Sequence, residues 1–107
     1  MKKSKSEYIG HIMLIKWKER DIPILCIDAK KHNRLDGLRL RIKRNRDFKS
    51  NPLLLFFDDN NSRVAMIDWR ISFDKADIVT VFDCIDVAKL RECNKKINRK
   101  KNNNRKF

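Results

Sequence analysis

The stretch GLRLRIKRNR, residues 37–46, alternates between apolar and basic side chains with a period of two. One parity is apolar: Leu38, Leu40 and Ile42. The other parity is basic: Arg39, Arg41 and Lys43. Successive side chains of a β-strand point to opposite faces, so the stretch predicts a strand over 38–43 with one apolar and one basic face. No acidic residue lies within it.

Strand-like patterns recur on both sides of this stretch. Five further segments alternate in polarity or form short apolar, β-branched or aromatic runs: 8–18, 24–27, 53–57, 64–73 and 78–82. Turn signals separate them, because Asp, Asn, Gly and Pro favour chain reversals; they fall at 19–23, in the polar segment 29–37 that ends in Asp36-Gly37, at 58–62 and at 74–77. We expect the first two segments to form a hairpin, and we expect 53–57 to pair with 64–73.

The pattern changes to a helical one after residue 83. Asp83 is a candidate N-cap, Asp86 follows as a weak capping box, and residues 84–96 predict a helix. Its apolar groups at helical spacing are Cys84, Val87, Ala88 and Leu90.

The chain divides into a flexible N-terminal tail at 1–7, one compact domain at 8–96 and a basic low-complexity tail at 97–107. The expected fold class is α+β. We predict a small antiparallel β-rich domain, a curled sheet or small barrel of five to six strands, with a C-terminal helix and a basic tail.

Composition excludes several classes of protein. A chain of 107 residues, 41% of them hydrophobic, forms one core at most. No apolar run approaches the roughly 20 residues of a membrane span, and the N-terminus has no small-residue cleavage site, so we expect a cytoplasmic protein. Three cysteines without a CxxC pattern predict free thiols, with Cys26 and Cys84 acting as small hydrophobic residues. The abundance of Lys, Asn, Ile and Asp is typical of AT-rich genomes, including those of phages.

The net charge of +13 is distributed unevenly along the chain, with +7 in residues 30–50, −4 in 51–88 and +8 in 89–107. Such a field attracts phosphate polymers, so we predict that the protein binds DNA or RNA through phosphate-backbone and shape contacts. The alternative is a solvated face that keeps the protein soluble, although such faces normally mix acids among the cations. The predicted binding residues are Lys30, Lys31, Arg34, Arg39, Arg41, Lys43, Arg44, Arg46, Phe48, Lys49, Lys95, Lys96, Arg99 and Lys100.

Aromatic residues bear on which nucleic acid is bound, because unpaired bases stack on exposed rings. Phe48 lies within a predicted loop of basic character at 45–52, where it either stacks a base or anchors that loop to the core. The aromatic residues in apolar strand patterns are predicted to be core residues: Trp17, Trp69, Phe56, Phe57, Phe73 and Phe82.

Two other functions remain open at this point. The protein could be a regulatory or inhibitory one that docks on a polymerase, ribosome or nuclease, with the acidic central segment (51–88) as its protein-facing side. Separately, ILCIDAK (24–30) resembles the second half of the PD-(D/E)xK nuclease motif, in which carboxylates hold a divalent ion and the lysine helps to activate water. That resemblance implies a metal-dependent nuclease using Asp28 and Lys30, with Asp21 or Glu7 as the upstream carboxylate.

No P-loop, GxGxxG, GxSxG or HExxH pattern occurs in the chain. The acidic residues of the turns are explained by turn formation, so we expect no metal site and no cofactor. The leading expectation is a binding protein without catalytic residues.

Overall fold

The computed structural model describes residues 5–57 and 63–104, with side chains from residue 7 to 57 and from 63 to 100. After a short 3₁₀ turn the elements are β1 (His11–Trp17), β2 (Arg20–Ala29), β3 (Arg34–Ile42), β4 (Leu54–Phe56), β5 (Arg63–Asp74), β6 (Ile78–Cys84) and α1 (Val87–Asn104). All neighbouring strands are antiparallel, in the order β4-β5-β3-β2-β1-β6. The predicted fold class is confirmed as a small curled sheet of six antiparallel strands with one C-terminal helix.

Both faces of the sheet carry a hydrophobic core. Leu38 and Leu40 belong to one core, which includes Cys93 of α1. Ile24 and Phe73 belong to the other, on the opposite face. The basic parity of β3 therefore does not face a wholly polar side of the sheet, because it shares its face with the second core.

The two predicted strand pairings are confirmed, although the first turn differs from expectation. β1 pairs with β2, and β4 pairs with β5. The β1–β2 turn consists of Lys18 and Glu19, both with positive φ (48° and 67°), as in the tight hairpin turns whose twist matches the strands. The predicted turn at 19–23 is wrong, since β2 begins at Arg20. Pro23 is tolerated inside β2 because β3 pairs with β2 only from Ile24 onward.

The Asp36-Gly37 pair lies inside β3, so the turn predicted there is wrong. A Cβ atom at Gly37 would lie 2.7 Å from Ile24 Cδ1 and 3.1 Å from the carbonyl oxygen of Leu25. Glycine is needed here for close packing of neighbouring strands rather than for chain reversal. The reversal occurs earlier, where His32 has a positive φ of 61°.

The helix α1 starts later and ends later than the sequence pattern predicts. Its N-cap is Asp86 rather than Asp83, because Asp86 Oδ1 accepts a hydrogen bond of 2.7 Å from the Lys89 N–H. The predicted apolar face is wrong in part: Cys84, Val87 and Ala88 are exposed, while Cys93 is fully buried. Leu90, Cys93 and Ile97 follow the helical spacing of a buried face.

The predicted tails fall partly outside the described residues. The structure does not describe positions 1–4, the predicted turn at 58–62 or positions 105–107. Of the predicted tail at 97–107, residues 97–104 continue α1. The turn predicted at 74–77 is confirmed, since Asp74 Oδ1 accepts from the Ala76 N–H at 2.8 Å in a short 3₁₀ turn. Among the described residues, neither α1 nor any other helix has the length and apolar character needed to cross a membrane.

Candidate nucleic-acid interface

The alternating stretch is extended as far as residue 42, as expected, and its basic parity (Arg39, Arg41 and Lys43) is called the basic row below. Leu38 and Leu40 are buried on one face of β3, and Arg39 and Arg41 are half-buried on the other. The strand ends at Ile42, whose side chain is 71% exposed rather than part of the core. Lys43, the third member of the predicted row, is exposed in the loop that follows.

Arg41 is engaged by a carboxylate of the protein itself. Its Nη1 and Nη2 donate to the two carboxylate oxygens of Asp47 at 2.7 and 2.9 Å. Asp47 also accepts from the Arg44 N–H at 2.7 Å. These hydrogen bonds, from Arg41 first and Arg44 second, hold the pKa of Asp47 well below its ordinary value. Arg41 therefore anchors a loop rather than presenting a free charge to a ligand.

The anchored segment, residues 43–49, is called the basic loop below. Four exposed cations lie in it: Lys43, Arg44, Arg46 and Lys49. None of their side chains forms an ion pair with a carboxylate among residues 5–57 and 63–104. Phe48 is 63% exposed, so of its two predicted roles the structure excludes the core anchor. The basic loop is thus a fixed, uncompensated positive surface with one exposed ring.

Trp69 and Phe82 are exposed, which corrects the prediction that both are core residues. Trp69 is 47% exposed and Phe82 is 55% exposed. The cause at Trp69 is a shift of register: Leu38 pairs with Arg70 but Leu40 pairs with Ala65, so a bulge in β5 lies opposite Arg39. The Arg39 guanidinium lies 4.5 Å from the centre of the Trp69 ring. Period-two patterning cannot find such a residue, because the bulge interrupts the period.

The predicted cations at 30, 31 and 34, just before β3 and at its first residue, are separate from the basic loop in their contacts. Lys30 pairs with Asp28 at 3.1 Å and approaches Asp36 at 3.9 Å. Arg34 donates to the hydroxyl of Ser72 at 3.2 Å, and Lys31 is exposed. Their role in binding stays a prediction, with Lys30 the least available of the three.

The C-terminal cations have two different environments. Lys96 Nζ donates to the carbonyl oxygens of Leu54 at 2.6 Å and Asn51 at 3.3 Å, so it ties α1 to the segment after the basic loop. Lys95 and Arg99 are exposed, and Lys100 is half-buried. Lys96 has a structural contact that the charge pattern of the tail does not reveal.

The Asp28-x-Lys30 arrangement forms an ion-pair network rather than a metal site. Arg70 Nε donates to Asp36 Oδ2 at 3.0 Å and its Nη2 forms an ion pair with the same oxygen at 2.9 Å, while Asp36 is only 7% exposed. Burial tends to raise the pKa of Asp28, but Lys30, the Ala29 N–H and Arg70 outweigh it and lower that pKa. Asp21 lies on the same strand as Asp28, seven residues away or roughly 23 Å. Within the described parts of the chain, no three His, Cys, Asp or Glu side chains gather to hold a metal ion.

A polar cleft of about 360 Å³ opens beside this network and is lined by Ile27, Asp28, Arg70, Asn94, Ile97 and Asn98. Its carboxylate, Asp28, makes it a poor site for phosphate. The basic loop is the better candidate for an anion.

Comparison with known proteins finds the same fold among solved structures. An endoribonuclease from mycobacterial species, in complex with its cognate antitoxin, superposes with a TM-score of 0.69 at 12% identity, over 83% of this chain and 88% of that one. MazE-MazF from Deinococcus radiodurans gives 0.68 at 15% identity, over 85% and 90%. The Mycobacterium tuberculosis toxin MazF-mt6 gives 0.67 at 9% identity, over 83% and 93%.

The sequence itself matches no model of a known protein family and no curated protein. At the identities given above, the likeness establishes a common fold and leaves the chemistry to be argued from this chain's own residues.

Proposed function

We propose that the protein binds RNA, with the basic loop contacting the phosphate backbone. The observation that carries this proposal is the set of four exposed cations in residues 43–49, which have no carboxylate partner in the described chain. Arginine suits the task because its planar guanidinium binds phosphate with two hydrogen bonds and stays charged at any relevant pH. Asp47 and Arg41 fix the loop, which reduces the entropy lost on binding.

RNA is favoured over DNA by the fold neighbours. One of the three neighbours is named as an endoribonuclease, and an endoribonuclease acts on RNA. Contacts with the phosphate backbone, which the basic loop is placed to make, suffice for binding RNA.

The test replaces three loop cations by acids: Arg44→Glu, Arg46→Glu and Lys49→Glu together. The matched control is Lys16→Glu, Lys18→Glu and Arg20→Glu, which changes the net charge equally at exposed sites on the β1–β2 hairpin. Binding of a fluorescein-labelled RNA of twelve nucleotides is followed by fluorescence anisotropy over a range of salt concentrations.

We expect the loop variant to lose affinity by at least about tenfold and the salt slope to become shallower by about 2, given roughly 0.7 per phosphate contact of a single strand. The control should lose much less. Equal losses in the two variants would mean that net charge alone, rather than this loop, attracts the RNA.

Cleavage of RNA is the second candidate function, favoured by the shared fold with a protein named as an endoribonuclease. The same RNA, labelled at its 5′ end and incubated with and without EDTA, is separated on a denaturing gel. If the RNA stays intact in both conditions, cleavage is rejected and binding remains as the proposed function.

A further inference from the structure

We infer that the Arg39–Trp69 pair is a stacking site for one unpaired nucleobase, so that the preferred ligand is a single strand. This inference rests on the proposed RNA binding and adds to it a contact with a base, where the basic loop contributes contacts with phosphates. It assigns a binding role to Trp69, which the sequence pattern places in the core.

The first argument is the exposure of Trp69. Tryptophan is large and apolar, and a structural tryptophan on a sheet is normally buried against the core, as Phe73 on the same strand is at 1% exposure. Trp69 keeps 47% of its surface in contact with solvent. Trp69 lies in the segment of β5 where the pairing with β3 is interrupted, between Arg70 opposite Leu38 and Ala65 opposite Leu40. Bulges of this kind re-aim a side chain, and they are frequent beside functional sites.

The second argument is the environment of Arg39. Its guanidinium lies 4.5 Å from the ring centre of Trp69 and makes no ion pair with any carboxylate in the described chain. Arg41 and Arg70, its neighbours along β3 and β5, are both paired with aspartates. Arg39 thus keeps its full charge beside an exposed ring. A cation covers one face of the ring at most, and the exposed surface is available to a base.

The third argument is the position of the pair relative to the basic loop. Arg39 and Arg41 are two residues apart on one face of β3, or about 6.6 Å. Arg41 is in turn hydrogen-bonded to Asp47 inside the loop. A base on Trp69 and the next phosphates on the loop cations therefore fit an extended strand of a few nucleotides. In a duplex both faces of each base are already stacked, so the ring would gain nothing.

The test compares Trp69→Leu with Phe82→Leu, a matched change at an exposed aromatic on β6, the strand at one edge of the sheet. Anisotropy is measured with two labelled probes, a single-stranded RNA of twelve nucleotides and the same sequence as a duplex. Stacking of one base on an aromatic side chain predicts a loss of about 5- to 150-fold for Trp69→Leu with the single strand. With the duplex the loss should be less than about twofold, and Phe82→Leu should match the unchanged protein on both probes.

A second measurement uses the unchanged protein, so it does not depend on the folding of a variant. The single-stranded probe is prepared without its bases, which keeps every phosphate and removes every stacking surface. We expect the abasic strand to bind at least about fivefold more weakly than the intact strand.

Equal binding of the abasic and intact strands, or full affinity of Trp69→Leu, would overturn the stacking site while leaving RNA binding by the loop in place. Failure of the unchanged protein to bind any of the probes would overturn the proposed function and the stacking site together. A loss that is equal on single strand and duplex would assign Trp69 to the folding of the interface and would also overturn base stacking.

Discussion

Arg41 and Asp47 are joined by two short hydrogen bonds, of 2.7 and 2.9 Å, so the end of β3 and the loop that follows it form one unit. The side chain of Asp47 is only 8% exposed. The ion pair neutralises Arg41, one of the positive charges of the basic row. It also anchors the loop that carries four other cations, because the Arg44 N–H donates to the same carboxylate.

Removing the Asp47 carboxylate should loosen the basic loop. In Asp47→Ala both hydrogen bonds from Arg41 and the one from Arg44 are lost. Trypsin should then cut within residues 43–49 severalfold faster, since local opening exposes the backbone. Peptide mapping by mass spectrometry measures the rate at each site. Asp68→Ala, an equal change of charge at an exposed position of β5, is the control and should leave the loop as resistant as before.

The same carboxylate predicts a dependence of stability on pH. The pKa of Asp47 is lower in the folded protein than its ordinary value of about 3.9, because the ionised form accepts hydrogen bonds from Arg41 and Arg44. The resulting stabilisation is fully present above about pH 4 and is lost as the pH falls below it. The melting temperature of the unchanged protein should therefore exceed that of Asp47→Ala at pH 6, and the difference should shrink at pH 3. A difference that is constant over this range would contradict the role assigned to ionised Asp47.

The sequence predicts the strands well because their apolar residues face buried cores. The hairpin of β1 and β2, the pairing of β4 with β5 and the late helix all follow from patterning and turn residues. What fails are the positions where tertiary contacts override local preference. The Asp36-Gly37 pair predicts a turn, but the glycine is required by packing, because a Cβ atom at Gly37 would lie 2.7 Å from Ile24 Cδ1.

The candidate site is predictable to a similar degree. The extended basic stretch and the loop cations follow from charge and alternation. Asp47 follows GLRLRIKRNR directly in the sequence. Because only five residues separate it from Arg41, an ion pair between the two is predictable from the sequence. The exposure of Trp69 could not, since it depends on a bulge that no period reveals.

Gly37→Ala should destabilise the fold. The added methyl group would meet Ile24 Cδ1 at 2.7 Å and the Leu25 carbonyl oxygen at 3.1 Å, and the backbone atom cannot move aside cheaply. We expect a loss of about 1–3 kcal/mol in the free energy of unfolding, measured by urea denaturation. Thr80→Ala, at an exposed position of β6, should stay within about 1 kcal/mol of the unchanged protein. If the two variants are equally stable, β2 and β3 are not packed as closely as described.

The three cysteines should differ sharply in reactivity. Burial raises the pKa of the Cys26 thiol to about 12 and that of the Cys93 thiol to about 11, so neither forms a thiolate near neutral pH. Cys84 is exposed and free. A colorimetric thiol reagent at pH 8 should modify one thiol per folded chain and all three after denaturation. Rapid modification of Cys93 in the folded protein would indicate that α1 leaves the sheet.

Lys95 and Lys96 are neighbours in the charge pattern, yet only the substitution of Lys96 should change the stability of the fold. Lys96→Met removes hydrogen bonds to the Leu54 and Asn51 carbonyl oxygens and should lower the free energy of unfolding by about 1–3 kcal/mol. Lys95→Met removes an exposed charge, so it should leave stability unchanged. Urea denaturation measures the free energy of unfolding of both variants. RNA affinity at low salt measures whether the charge of Lys95 contributes to binding. Both variants lose one positive charge. A loss of stability confined to Lys96→Met is therefore due to the loss of its hydrogen bonds to Leu54 and Asn51. If RNA affinity is the same in Lys95→Met as in the unchanged protein, Lys95 lies outside the interface.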